Sequence, residues 1–191
     1  MRARTETGAY DLTDSEAIRS NKVVREEGAR FYLPTRDEWF KSAYYDPRNS
    51  KEGGPTDDGH YWKFPTMSDQ IPTLARSDSL GNIVNDSGNI VNYQHGTRSS
   101  SATTGFPTVV GSGGPGSESF YGVSGAGGNV IEWTETVSGS NKRWMGGTSW
   151  AQAPLIMDSN DSRKWLSAPT TEGEFWGFRV AKSAFPEGAE E

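Results

Sequence analysis

The residues able to carry chemistry in this 191-residue chain are few, and their types narrow the reactions sharply. There is no cysteine, so a thiolate nucleophile, a disulfide and a Cys-ligated metal are all excluded. The two histidines, His60 and His95, would with one carboxylate make the facial ligand set that holds Fe(II) for oxygen chemistry. Both sit in polar, loop-like stretches without short-range ligand spacing, and the plainer reading is that they are ordinary loop residues. Serine and aspartate are plentiful, yet no Gly-x-Ser-x-Gly elbow stands between a strand and a helix, so nothing marks a serine nucleophile. The paired runs Gly81-Asn82-Ile83-Val84-Asn85 and Gly88-Asn89-Ile90-Val91-Asn92 offer amide oxygens near Asp86 but lack calcium-loop spacing. They are expected to form a hairpin around Asp86-Ser87-Gly88.

The elements that must position such groups are short. The length suits one domain with one core. Only 32% of residues are hydrophobic, but Trp 7, Tyr 7 and Phe 8 point to a core built from rings. Gly 23 and Pro 10 break the backbone often, which predicts short strands joined by long loops. The net charge of -6, from 19 basic and 25 acidic residues, leaves no basic stripe for phosphates, so nucleic acid is not an expected partner. No apolar run approaches the ~18 residues that read as a membrane span, and Met1–Asp14 lacks the apolar stretch of a signal peptide. A soluble chain with no membrane partner is expected; its compartment is not legible.

Residues 1–30 read as a weakly ordered lead-in in which Asp14 caps a short helix through Glu16, Ala17 and Ile18. Phe31-Tyr32-Leu33-Pro34 is an extended run, and Thr35-Arg36-Asp37-Glu38 has the arrangement of a capping box. The spacing predicts a helix from about Arg36 to Tyr45, with Trp39, Phe40, Ala43 and Tyr44 facing the core and Pro47 beyond its end. Residues 46–80 suit a long ordered loop pinned by Tyr61, Trp62 and Phe64. Residues 96–119 are a Ser/Thr/Gly/Pro-rich surface segment with one short strand expected at Pro107–Val110. Further strands are expected over 129–134, 143–147 and 176–181, so that one domain spans 31–182 and an acidic tail spans 183–191.

Four segments then resemble one family, in order. Tyr32-Leu33-Pro34-Thr35-Arg36-Asp37-Glu38-Trp39 resembles its "LPTEAEWE" helix start, and Gly127-Gly128-Asn129-Val130-Ile131-Glu132-Trp133 its "GNVWEW" element. Gly146-Gly147-Thr148-Ser149-Trp150 is similar to its "RGGSW", and Gly177-Phe178-Arg179-Val180 to its terminal "GFRV". Asn92-Tyr93 stands where an "ANY" element often falls. This is the sulfatase-modifying-factor, or formylglycine-generating-enzyme, family. The resemblance runs from about Thr7 to Ala181, with no counterpart here for the strands and first helix that such proteins carry upstream. It implies an α+β, loop-rich C-type-lectin-like fold with short strands and few helices.

The family's oxidation needs a cysteine pair that binds copper, and aligning on Ser149-Trp150 puts those positions near Gln152 and Met157. No copper and no formylglycine-generating activity are therefore expected. Iron-dependent cousins use three histidines, whereas this chain has His60 and His95; an oxygen-dependent non-haem iron enzyme stays as the alternative. The resemblance also implies a structural Ca2+ on Gly127, Gly128, Val130 and Glu132, against a reading in which Glu132 faces solvent or accepts backbone donors. In lectin-like members, including retroelement-diversified variable proteins, the counterpart of residues 150–176 presents the ligand-contacting side chains. Here that segment holds Trp150, Gln152, Asp158, Asn160, Asp161, Arg163, Lys164, Trp165, Glu172 and Glu174, polar groups between aromatic anchors. The plain alternative is that Trp150, Met157 and Trp165 are core. A non-catalytic binding domain for a protein or a saccharide follows as the leading expectation, with a retroelement-diversified variable binding protein as a further alternative.

Overall fold

The computed structural model describes residues 8–56, 59–85, 88–94, 106–114, 116–160 and 165–183. Its elements run α1 (Ser15–Arg19), β1 (Phe31–Tyr32), α2 (Arg36–Tyr44), β2 (Thr73–Leu74), β3 (Ile90–Val91), β4 (Ile131–Val137), β5 (Arg143–Gly146), β6 (Trp165–Ser167), β7 (Trp176–Phe178) and β8 (Ala181–Lys182). Single 3-10 turns lie at Ser50–Glu52 and Pro154–Met157.

The helix starts are dictated locally. Asp14 accepts from the backbone N–H groups of Glu16 and Ala17 at the head of α1. At α2, the Glu38 N–H donates to Thr35 Oγ1 at 3.2 Å, while Glu38 Oε2 accepts from the Thr35 N–H at 2.7 Å, completing the predicted capping box. Two otherwise unpaired donors are thereby satisfied. Tyr45 is already extended, and Asp46 precedes Pro47, which disfavours a further helical turn. Trp39, Ala43 and Tyr44 bury one face of α2 against the sheet, with the Trp39 ring 6.0 Å from Tyr44 and 5.8 Å from Trp144.

The main sheet has the order β6-β5-β4-β7, with β4 and β7 parallel and the other pairs antiparallel. Glu132 lies opposite Gly146 and beside Gly177, and Trp133 lies opposite Met145 and beside Phe178. Gly146 is required by close approach: a Cβ there would lie 2.4 Å from the Trp39 indole. β1 pairs β8 antiparallel, with Phe31 opposite Lys182 and Tyr32 opposite Ala181. A second cluster gathers Phe64, Val91, Tyr93 and Met157.

The two Gly-Asn-Ile-Val runs do not make the expected hairpin. Ile90 and Val91 pair in parallel with Thr73 and Leu74, whereas Ile83 bridges to Ser77. In this arrangement Ile90 and Val91 are buried, Val91 against Phe64, Tyr93 and Met157, a gain that a two-stranded surface hairpin does not provide. The centre of the supposed turn, Asp86-Ser87, lies outside the described residues. Pro107–Val110 forms no strand either; the Val109 N–H donates instead to the Gly81 carbonyl at 2.9 Å.

Residues 8–30 lie on the side of the sheet away from α2. Arg143 donates from Nε to Asn21 Oδ1 at 2.8 Å and from Nη2 to the Val23 carbonyl at 2.6 Å. The Tyr10 hydroxyl donates to Glu135 at 3.0 Å and accepts the Leu33 N–H at 2.8 Å. Among the described residues, no helix is long and apolar enough to cross a membrane.

Candidate functional site

Four residues expected as ligands converge around Glu132. Gly127, Gly128, Val130 and Glu132 all line one small pocket of about 160 Å3, together with Asn129 and Arg179. The glycines are set by space: a Cβ on Gly128 would lie 2.3 Å from the Asn92 carbonyl oxygen, and one on Gly127 would lie 2.8 Å from Pro65. Asn129 follows with φ 70°, a left-handed conformation that asparagine tolerates better than most residues. Its side-chain oxygen accepts from the Thr108 N–H at 2.6 Å and from Asn92 Nδ2 at 3.2 Å, and its carbonyl accepts from the Trp150 N–H at 3.0 Å. One residue thus staples three loops.

Glu132 is only 6% exposed, and a carboxylate so deeply buried needs a counter-charge. Arg179 supplies it through two bonds, from Nη2 to Oε1 at 2.6 Å and from Nε to Oε2. Trp39 Nε1 adds a third donor to Oε2 at 2.6 Å. Both carboxylate oxygens are committed to side chains, so Glu132 neither faces solvent nor relies on backbone donors. As arranged, this donor set does not fit Ca2+. The ion takes about six to eight oxygens, whereas here the single carboxylate is already engaged by a guanidinium whose positive charge opposes a second cation.

Of the two positions where the resemblance expects thiols, Met157 is interior and Gln152 is half-buried. Met157 is fully buried beside Phe64, Val91 and Tyr93, and its carbonyl accepts from the Tyr44 hydroxyl at 2.9 Å. Burial raises the pKa of that phenol. Gln152 Oε1 accepts the Ser149 N–H at 2.8 Å and also the Ser149 hydroxyl, closing the turn after β5. His60 is half-buried, with Nδ1 3.2 Å from the Arg48 carbonyl, and His95 lies outside the described residues. Among the described residues, no three His, Asp or Glu side chains gather as a metal site.

The segment 150–176 divides by burial. Trp150 is an interior anchor, its ring 5.1 Å from Phe175, and Trp165 is partly covered within β6. Asp158 is half-buried and accepts the Asn160 N–H at 2.8 Å. Asn160, Glu172 and Glu174 are exposed, as is Leu155. Asp161, Arg163 and Lys164 lie outside the described residues. Two backbone bonds fix the loop, Ser159 N–H to the Lys63 carbonyl at 2.8 Å and Gln94 N–H to the Gln152 carbonyl at 2.8 Å.

Sequence reasoning missed the partners. Arg179 was visible within its motif, but nothing local tied it to Glu132. It also missed a knot at the end of α2. There the fully buried Asp46 accepts from Arg48 Nη2 at 2.7 Å and from Trp62 Nε1 at 3.1 Å. These bonds, that of Arg48 foremost, hold the Asp46 pKa below the usual carboxylate value.

No family model matches the chain, and no curated protein does. Among solved structures, CarF is similar at 19% identity over 85% of this chain and 51% of its own, with a TM-score of 0.54. Treponema denticola variable protein 1 is similar at 17% identity over 85% of this chain and 51% of its own, with a TM-score of 0.48. PvdO from Pseudomonas aeruginosa is similar at 18% identity over 81% of this chain and 53% of its own, with a TM-score of 0.45. The chain therefore spans about half the length of the solved structures it matches. The protein has a loop-rich α+β fold of the C-type-lectin-like class. At these identities the likeness is one of fold and carries no activity with it.

Proposed function

We propose that this chain is a non-catalytic binding domain that recognises a protein or a saccharide through residues 150–176. The observation that carries the reading is the fate of the two positions equivalent to the family's thiols. Met157 is a core side chain, and the half-buried Gln152 spends its side-chain oxygen on closing a turn with Ser149, so neither position offers a reactive group. The same segment exposes Asn160, Glu172, Glu174 and Leu155, while Trp150 and Met157 are buried within it. Fixed anchors beneath adaptable polar groups lower the ordering cost of recognition. We further infer that Arg179, rather than a bound calcium ion, balances the charge of Glu132.

Screening the purified chain on a glycan array and a peptide array tests the reading. A hit that is lost in the Asn160→Ala, Glu172→Ala, Glu174→Ala triple variant, with unchanged thermal stability, supports it. Conversion of a cysteine-containing sulfatase peptide, or oxygen consumption with stoichiometric iron or copper, overturns it.

A further inference from the structure

A second pocket, distant in sequence from the 150–176 segment apart from Pro169, lies between residues 8–30 and the sheet. It is an open groove of about 380 Å3 walled by Leu12, Ile18, Leu33, Trp133, Pro169 and Phe178. That volume falls within the range of about 300–1,000 Å3 common to small-molecule sites. The alternation of β4 explains its position: Glu132 and Thr136 turn to α2, bonding Trp39 Nε1 and the Arg36 N–H, while Trp133 and Glu135 turn to residues 8–30.

The polar side chains in its wall are bonded within the wall. Tyr10 donates to Glu135 and accepts from Leu33, and burial pushes its pKa up to about 12, so it stays neutral. Asn21 accepts from Arg143 and donates to the Lys142 carbonyl at 3.0 Å. Arg143 also donates to the carbonyls of Glu135 and Val23. A ligand therefore meets chiefly apolar surface. The rim is apolar too, with Leu12 65% and Phe178 66% exposed. Such surface is usually covered when it is concave and contiguous.

We propose that this pocket binds a neutral, chiefly apolar small molecule, held between Trp133 and the 8–30 segment. Its polar residues serve to hold the wall in shape, with Arg143 pinning Asn21 and Val23 to the sheet. Of the pocket's lining residues Pro169 alone belongs to the 150–176 segment, and the polar groups exposed there take no part in it, so either site can fail alone.

The test titrates the full chain with N-phenyl-1-naphthylamine, a neutral dye that brightens in apolar surroundings, and with 8-anilinonaphthalene-1-sulfonate, its anionic counterpart. The expected result is saturable, one-to-one brightening by the neutral dye, with the anionic dye at least about tenfold weaker. Leu12→Asp and Phe178→Asp should each weaken the neutral dye about tenfold by placing a charge at the rim. Circular dichroism checks that both exposed-site variants fold; if one does not, Leu12→Ser and Phe178→Ser replace them. Absence of saturable brightening, equal binding of the two dyes, or indifference to the rim variants overturns the proposal. So does a dimer in sedimentation that Phe178→Asp dissociates without any dye site, which would make the face an interface between copies.

Discussion

Removing the guanidinium from Glu132 is the sharpest perturbation the fold offers. In Arg179→Met the carboxylate keeps one donor, Trp39 Nε1 at 2.6 Å, and loses both bonds from Arg179. The side chains of the pair are 7% and 23% exposed, so solvent does little to restore the lost interaction. Breaking a buried pair from one side costs about 3–5 kcal/mol, and the surviving indole bond favours the lower end, about 3 kcal/mol. For a domain of this size that lowers the melting temperature by about 6–12 °C. Glu132→Gln alone should also destabilise. The double variant Glu132→Gln, Arg179→Met should recover part of the loss, because no unpaired charge stays buried. Thermal unfolding followed by circular dichroism measures all three. A cost below about 1 kcal/mol for Arg179→Met, or a double variant no better than the single one, refutes the counter-charge account. Millimolar Ca2+ should leave the wild-type melting temperature unchanged; a rise that disappears in Glu132→Gln would refute it equally.

Three further outcomes follow from the same geometry. Gly146→Ala forces a methyl to 2.4 Å from the Trp39 ring and should cost about 1–3 kcal/mol, whereas at Gly173 the nearest atom is 4.0 Å away and Gly173→Ala should change little in the same melt. Asn129→Ala combines an unfavourable φ of 70° with loss of the Thr108 and Asn92 bonds and should cost about 2–4 kcal/mol; Asn129→Gly, which relieves the backbone alone, should cost less. Asp46 has a depressed folded pKa, so its contribution to stability is present above the unfolded carboxylate value of about 4 and is lost as pH falls through the folded one. Arg48→Met should therefore move acid unfolding to higher pH, and in Asp46→Asn this component of the acid limb should be absent.

The amino-acid sequence alone determined what depends on near neighbours. Asp14 and Thr35 cap their helices with donors two or three residues away, and the 3.6-residue spacing of Trp39, Ala43 and Tyr44 marks a buried face. The strands expected over 129–134, 143–147 and 176–181 occur at 131–137, 143–146 and 176–178, so their existence was legible and their ends were not, and the complete lack of cysteine removed thiol chemistry. Tertiary structure alone decided the partners. Arg179 meets Glu132 across 47 residues, Trp39 meets it across 93, and Tyr10 meets Glu135 across 125. Ile90-Val91 could pair with its local repeat or with Thr73-Leu74, and burial selected the latter. Periodicity records which side of an element is apolar, because that side is set by bond geometry within a few residues. Which distant group covers it depends on closing loops and filling one shared volume, and no local pattern encodes that choice.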